Sequence, residues 1–168
     1  ETRLFPDPEY TFKHALTHEV TYGTLLQDRR KALHARIVGA IERSDPDRLT
    51  EHVERLAYHA ARGELWGKAV PYLHQAGVKA LARSANQEAV SCFEQALMAL
   101  EYLPETRERL GQAIDLRFDL RTSLFPLGEL ERIFGCLREA EGLARTLDDQ
   151  RRLGRLSVYL CHNLWITG

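Results

Sequence analysis

Features that would assign a chemistry to this sequence are scarce. Its 168 residues contain three cysteines, Cys92, Cys136 and Cys161, which lie far apart and form no Cys-x-x-Cys pair. An odd number of dispersed cysteines favours neither a disulfide framework nor a zinc cluster, so we expect reduced core residues. No apolar run approaches the ~20 residues that cross a bilayer, and no charged-then-apolar signal segment begins the sequence. We therefore expect a cytoplasmic fragment with no membrane partner.

The sequence also lacks an excess of charge of one sign. Twenty-three lysines and arginines are balanced by 24 aspartates and glutamates, and the formal net charge is −1. Without a global basic field, the chain has no general attraction for a polyanion or an anionic membrane surface. This balance disfavours nucleic acid as a partner.

A local basic stripe is nevertheless present. Three arginines recur every seven residues on one face of a predicted helix: Arg29, Arg36 and Arg43. We interpret the stripe as a solvated face opposite Leu33, Ile37 and Ala40, because no aromatic residue or second basic element accompanies it. The alternative function that it leaves open is a nucleic-acid-binding helical segment of a transcriptional regulator.

The segment from His14 to Gly23, HALTHEVTYG, approaches a zinc-protease helix without completing it. Such a helix needs His-Glu-x-x-His, so that both imidazoles and the carboxylate share one face. After His18 and Glu19, the position of the second histidine is occupied by Tyr22. We therefore predict no metal site. Other histidines are scattered over different predicted helices, without the close paired spacing of metal ligands: His52, His59, His74 and His162.

A phosphate-binding loop and a nucleophile elbow are also missing. The segment GELWGKA contains Gly63, Gly67 and Lys68, but three residues separate its glycines and Ala69 follows the lysine. The loop requires four residues between the glycines and a serine or threonine after the lysine. No Gly-x-Ser-x-Gly occurs. We predict a non-catalytic chain, not an enzyme, with no cofactor.

Helical periodicity dominates the sequence from residue 25 onward. The prolines at 6 and 8 and the alternating Tyr10 and Phe12 predict a loop and a short extended piece before it. Asp45 and Pro46 stand in the order of an N-cap and a first helical position, so a new helix is expected there. Glycine and proline then separate further predicted helices at about 87–102, 105–124, 129–147 and 149–166.

Small and large apolar residues recur in the order of paired helices. Six positions match the tetratricopeptide pattern in phase: Leu73, Gly77, Ala80, Ala89, Phe93 and Ala96. A second unit repeats the second-helix part of the pattern: Gly128, Leu130, Ile133, Leu137 and Ala140. In its first helix, Arg121 stands where a small residue is usual. A third unit begins with Leu160, Cys161 and Leu164. We therefore predict an all-α fold, a right-handed α-solenoid of tetratricopeptide-like helix pairs.

Several longer phrases extend this resemblance. The segments YTFKHALTHEVTYGTLL, RRKALHARIVGAIE, LAYHAARGELWGKAVPYLHQAG and DLRFDLRTSLFPLGE resemble bacterial multidomain signalling ATPases. In that family a class III adenylate or guanylate cyclase domain, or a transcription-factor domain, is joined to an AAA-type module followed by tetratricopeptide-like repeats. The resemblance implies that 1–43 is the tail of a winged-helix-like part with a helical connector. It implies that 45–168 is the repeat region, truncated in its last repeat.

The resemblance implies a non-catalytic protein–protein interaction and regulatory module of a signalling ATPase or cyclase. In such repeats the first helix of each pair lines a concave groove, and the corresponding positions are His74, Asp115, Phe118, Thr122, Arg155, Tyr159, His162 and Trp165. Aromatics and arginine beside polar groups are typical of protein-binding surfaces, so we predict a protein or peptide partner, such as another domain of the parent chain. The alternative is that Phe118, Tyr159 and Trp165 pack against neighbouring helices. We also expect the fragment to self-associate through the apolar face of its last helix, which carries Leu156, Leu160, Leu164 and Trp165.

Overall fold

A computed structural model describes residues 27–167 of the chain. These residues form seven α-helices, labelled in chain order: α1 (Gln27–Ser44), α2 (Val53–Arg62), α3 (Trp66–Ala82), α4 (Asn86–Glu101), α5 (Arg107–Leu124), α6 (Leu130–Leu147) and α7 (Gln150–Thr167). Two 3-10 helices, Pro46–His52 and Phe125–Leu127, precede α2 and follow α5. No strand occurs between residues 27 and 167, which confirms the all-α class. The extended piece predicted at Tyr10 to Lys13 and the histidines His14 and His18 lie outside the described residues.

Four corners between helices share one backbone geometry. Each contains a residue with a positive φ: Glu64 (54°), Ser84 (59°), Gly128 (72°) and Asp148 (51°). The N–H of the following residue donates to a carbonyl five positions back, as from Ala85 to Ala80 at 2.9 Å. This is the bond pattern of a Schellman motif, which satisfies the last carbonyls of a helix and lets the chain turn.

The corner between α4 and α5 is built differently. It runs through Leu103 and Pro104, and α5 begins after Thr106, whose side-chain oxygen accepts a hydrogen bond from the backbone N–H of Arg109 at 3.1 Å. A threonine in this position satisfies one of the free N–H groups of the first helical turn. The five residues of this connection, 102–106, run beside α3 and α5.

Each helix packs most extensively against a helix that is its neighbour in the chain. Polar contacts also join helices that are two apart in the chain. For example, Glu42 of α1 accepts hydrogen bonds from Lys68 and Tyr72 of α3. On the other side of the molecule, Arg132 of α6 pairs with Glu94 of α4 at 2.5 Å. The buried apolar residues from Val38 to Leu156 form one continuous core. This serial packing is typical of a helical repeat-like fold.

The positions that the repeat pattern identifies are buried in the first pair, α3 and α4. Gly77 of α3 lies directly against Phe93 of α4: a Cβ placed on Gly77 would come within 2.5 Å of Cε1 of the ring. In the second unit Ile133, Leu137 and Ala140 are also buried. The glycine therefore allows a close approach of two helices that any side chain would prevent.

Three local predictions differ from the structure. The expected core-facing residue Leu33 is 45% exposed, and α1 instead buries His34 and Val38. Asp45 and Pro46 begin a 3-10 helix that becomes α-helical only at Val53, and the Asp45 side chain makes no capping hydrogen bond. Of the cysteines expected in the core, Cys136 is buried and Cys92 half-buried, whereas Cys161 is exposed.

Candidate functional site

Helices α3, α5 and α7 lie side by side and are linked through the side chains of one surface. We call this surface the α3/α5/α7 face and define it by these residues: His74, Asp115, Phe118, Asp119, Arg121, Thr122, Arg152, Arg155, Tyr159, His162 and Trp165. All eight predicted groove residues lie on these three helices. Their distribution follows from helical period, because residues three or four apart on one helix share a face.

His74 links α3 to α5. Its Nε2 lies 2.8 Å from Oδ2 of Asp119, and its ring centroid is 5.9 Å from that of Phe93. The hydrogen bond with Asp119 raises the pKa of His74 above its usual value of 6.5, and burial of the ring partly opposes this shift. His74 is therefore a half-buried, carboxylate-bound imidazole that favours the charged form.

Asp115 links α5 to α7. Its two carboxylate oxygens accept hydrogen bonds from Nε and Nη2 of Arg152 at 3.0 and 2.6 Å. Arg152 also donates through Nη1 at 2.6 Å to Asp149, the residue directly before its own helix. This fork-to-carboxylate pairing is the strongest geometry available to an arginine. Asp115 thus has a structural partner within the chain.

Phe118, Arg155 and Tyr159 form a stacked group between α5 and α7. Phe118 is buried, and the Tyr159 ring meets it edge to face with centroids 5.6 Å apart. The guanidinium carbon of Arg155 lies 4.2 Å from the Phe118 centroid, and its Nε donates to the Tyr159 hydroxyl at 3.0 Å. Contact of a cation with an aromatic face is stabilising when both groups are partly desolvated.

Arg121 adds a second guanidinium to the same group. Its guanidinium carbon lies 4.4 Å from the Tyr159 centroid and 5.3 Å from that of Phe125. One Nη atom is 3.3 Å from Nδ1 of His162. The sequence pattern treated Arg121 as a departure from the repeat. In the structure it is the residue that connects Tyr159 with His162.

The remaining two predicted residues stand apart from this group. Thr122 is exposed, and its hydroxyl donates to the Phe118 carbonyl of its own helix at 3.0 Å. Trp165 is 82% exposed near the end of α7. Of the three aromatic residues for which internal packing was the alternative, Phe118 is buried, Tyr159 is half-buried and Trp165 projects from the surface.

A cleft of about 500 Å³ opens beside this surface, between α3 and α5. Its floor is apolar, with Val70, Pro71 and Leu116, and the connection through Pro104 closes one end. His74 and Asp115 are among its polar lining residues. The α4–α5 connection contributes Leu103, Pro104 and Thr106 to the lining of the cleft.

A histidine pair that the sequence did not reveal joins α1 to α2. The Nδ1 atoms of His34 and His59 are 2.7 Å apart, although 25 positions separate the two residues. Burial lowers the pKa of both histidines, and the charge of Arg62 adds to the effect on His34. Two imidazoles at this distance share one proton between them, so the contact requires at least one neutral ring.

Little else in the described chain suggests reaction chemistry. Within residues 27–167 no group of three or more His, Cys, Asp or Glu side chains converges as a metal site. Burial raises the pKa of Cys92 and raises that of Cys136 to about 11, which makes both thiols weak nucleophiles. No helix in the same range combines the length and apolar composition of a membrane span.

Comparison of the chain with protein-family models, with curated proteins and with solved structures gives no match.

Proposed function

We propose that this chain is a non-catalytic docking module, a right-handed α-solenoid of tetratricopeptide-like helix pairs whose α3/α5/α7 face binds a peptide or another domain of its parent protein. Support for the solenoid comes from the serial packing of α1 to α7 and from the repeated corner geometry at Ser84 and Asp148. The close contact of Gly77 with Phe93 is the small-to-large packing on which such helix pairs depend.

One observation carries the docking role. Along α7, Arg155, Val158 and Trp165 are exposed on one side, with Val158 65% and Trp165 82% accessible. A merely solvated helix face would be rich in lysine and glutamate, whereas exposed tryptophan and arginine are the residue types that anchor protein ligands. The eight residues His74, Asp115, Phe118, Thr122, Arg155, Tyr159, His162 and Trp165 are the proposed binding surface.

The regulatory context rests on the sequence resemblance. We propose that the chain belongs to a cytoplasmic bacterial signalling ATPase with a cyclase or transcription-factor output. Residues 1–43 would be the tail of the ATPase-associated part and 45–168 the repeats. In this arrangement the repeats bind a protein ligand, and α1 transmits the change between the free and the bound state to the preceding module. No cofactor is required for that role.

The test uses the full-length parent protein. Arg155, His162 and Trp165 are replaced together by alanine, and both the helical circular dichroism signal and the output activity are measured. We expect altered regulation with unchanged helical content. A matched triple variant, with alanine at Met98, Arg138 and Arg145 on the exposed sides of α4 and α6, should leave regulation unaltered. Unaltered regulation in the first variant, or loss of its fold, would contradict the proposal.

Exposed apolar residues on α7 also support self-association of the chain. Leu156, which was expected on the exposed face, is buried in the core, whereas Val158 and Trp165 are exposed on one side of the helix. We expect sedimentation to show concentration-dependent dimers that Val158→Lys abolishes. A sedimentation profile that Val158→Lys leaves unchanged would place any association elsewhere.

A nucleic-acid-binding role for α1 is the second candidate. Arg29, Arg36 and Arg43 are all exposed on this helix. Binding through phosphate contacts would weaken steeply with salt, and replacing the three arginines by glutamine would remove it. We expect the chain not to bind duplex DNA, because its net charge is −1.

A further inference from the structure

Two arginines of the α3/α5/α7 face differ from their neighbours in their partners. Arg117 of α5 and Arg152 of α7 are ion-paired, with Glu139 and Asp115 respectively. Within residues 27–167, Arg121 and Arg155 contact no carboxylate: aromatic rings, one hydroxyl and one imidazole are their partners. Two positive charges therefore meet at the Tyr159 ring without internal neutralisation.

Stacking leaves most donors of these guanidinium groups available. A guanidinium that lies over an aromatic ring uses its flat face, and its five N–H groups point outward in its own plane. Arg155 commits only Nε, to the Tyr159 hydroxyl, and Arg121 directs one Nη toward His162. The Nε of Arg121 is buried, so this residue would bind a carboxylate through its Nη atoms. Planar carboxylates accept such donors in pairs.

The surroundings favour carboxylates on a protein over a nucleic-acid backbone. Asp115 and Asp119 lie on the same face but are paired with Arg152 and His74, so Arg121 and Arg155 are the cations of this face that contact no carboxylate of the described residues. A continuous row of phosphates needs a longer basic surface than these two residues provide, whereas a few separate acidic side chains match them. The exposed stripe of α7 continues from Arg155 through Val158 to Trp165, and α7 contains no aspartate or glutamate. An acidic segment with apolar side chains complements that stripe in both charge and hydrophobicity.

We propose that Arg121 and Arg155 form a carboxylate-binding pair, and that the partner of this face is an acidic, amphipathic peptide segment. The inference rests on the proposed docking function and names the chemistry of its ligand. Tyr159 positions both guanidinium groups, and Val158 and Trp165 provide the apolar contact. Because stacking fixes the two cations before binding, little side-chain entropy is lost when the acidic segment arrives.

The experiment measures binding to the intact chain by fluorescence anisotropy. The probe is a labelled helical peptide with glutamate on one face and leucine beside it, and its comparison peptide has glutamine in place of every glutamate. We expect the glutamate peptide to bind, the glutamine peptide to bind at least tenfold more weakly, and Arg155→Gln to reduce affinity about tenfold. Arg121→Gln should have a similar effect, with circular dichroism verifying its fold.

The matched control is Arg138→Gln on α6. Arg138 also lies over an aromatic ring, 5.0 Å from the Phe134 centroid, but it pairs with Glu141. This variant should keep full affinity. Equal binding of the two peptides, an equal loss in Arg138→Gln, or tighter binding of a single-stranded oligonucleotide would each overturn the inference.

The two levels of the proposal can fail separately. If the Arg155, His162 and Trp165 triple variant alters regulation of the parent while the glutamate peptide does not bind, docking stands and the acidic ligand is wrong. If regulation is also unaltered, both are wrong.

Discussion

Two helix interfaces of this protein bury an aromatic ring by different means. Between α3 and α4, Phe93 fills the space that Gly77 leaves by having no side chain. Between α5 and α7, Phe118 is also buried, but the charged end of Arg155 covers its face at 4.2 Å. The first interface therefore depends on volume, and the second depends on charge and remains open to water at its edge. An interface of the second kind can stabilise the fold and still offer donors to a ligand.

The largest expected effect is on the α3–α4 interface. Replacing Phe93 by alanine should lower the free energy of unfolding by about 3–5 kcal/mol, because a fully buried ring leaves a cavity that the closely packed helices cannot close. Urea denaturation measures the change. Met98→Ala, at a 55% exposed position of the same helix, is the control and should stay within about 0.5 kcal/mol of the parent. Equal losses in the two variants would contradict the claim that the α3–α4 interface depends on the buried volume of Phe93.

Gly77→Ala sharpens the volume argument. Alanine is worth about 1 kcal/mol more than glycine inside a helix, yet the added Cβ would collide with the Phe93 ring, so we expect a net loss of about 1–3 kcal/mol. Gly135→Ala on α6 is the matched control, since no atom of another helix lies within 4 Å of its Cβ position. That control should be stabilised. Stabilisation of both variants would show that the α3–α4 contact tolerates extra volume.

Asp115→Asn tests the charge dependence of the α5–α7 interface. It weakens the paired hydrogen bonds with Arg152, and because the Asp115 side chain is 53% exposed we expect a loss of only about 1 kcal/mol. The loss should shrink in concentrated salt, which screens exposed ion pairs. Comparing urea denaturation at low and high salt measures this. A loss that is independent of salt would indicate packing and not charge.

The smallest effects concern the histidines, whose pKa values shift in opposite directions. For His74 the pKa is raised, so its contribution to stability is complete below the usual value of 6.5 and is lost as pH rises through the raised value. For His34 and His59 the pKa is lowered, so their contribution is present above 6.5 and declines as pH falls. NMR titration should resolve the two behaviours.

Asp119→Asn is the control for that titration. It should lower the pKa of His74 and leave those of His34 and His59 unaltered, because the hydrogen bond with Asp119 is the main cause of the His74 shift. A His74 titration that does not respond to this change would contradict the assignment.

The sequence was sufficient for the helices because their signals are local. Apolar period and turn residues predicted α4 at 87–102 and α6 at 129–147, against 86–101 and 130–147 in the structure. The pattern also assigned Gly77 and Phe93 to small and large positions of adjacent helices, and the structure brings these two residues into contact.

The site was less predictable because its contacts join distant residues. His74 contacts Asp119, which is 45 positions away in the sequence, and Arg121 contacts His162, which is 41 positions away. No local sequence spacing predicts either contact. The repeat pattern has a small residue at the position of Arg121. In the structure, the Arg121 guanidinium lies over the rings of Tyr159 and Phe125. The periodicity of α1 likewise favoured Leu33 for the core. In the structure His34 is buried instead, where its ring forms a hydrogen bond with His59.

The central claim is that the α3/α5/α7 face is a docking surface, distinct from the α3–α4 interface that holds the fold. The most direct measurement is the regulated output of the full-length parent carrying alanine at Arg155, His162 and Trp165, compared with Gly77→Ala at an equal folded fraction. We predict lost regulation in the triple variant with a loss of about 1–2 kcal/mol in unfolding free energy, from the cation–π contact of Arg155, and normal regulation in Gly77→Ala. Normal regulation in the triple variant, with its fold intact, would contradict it.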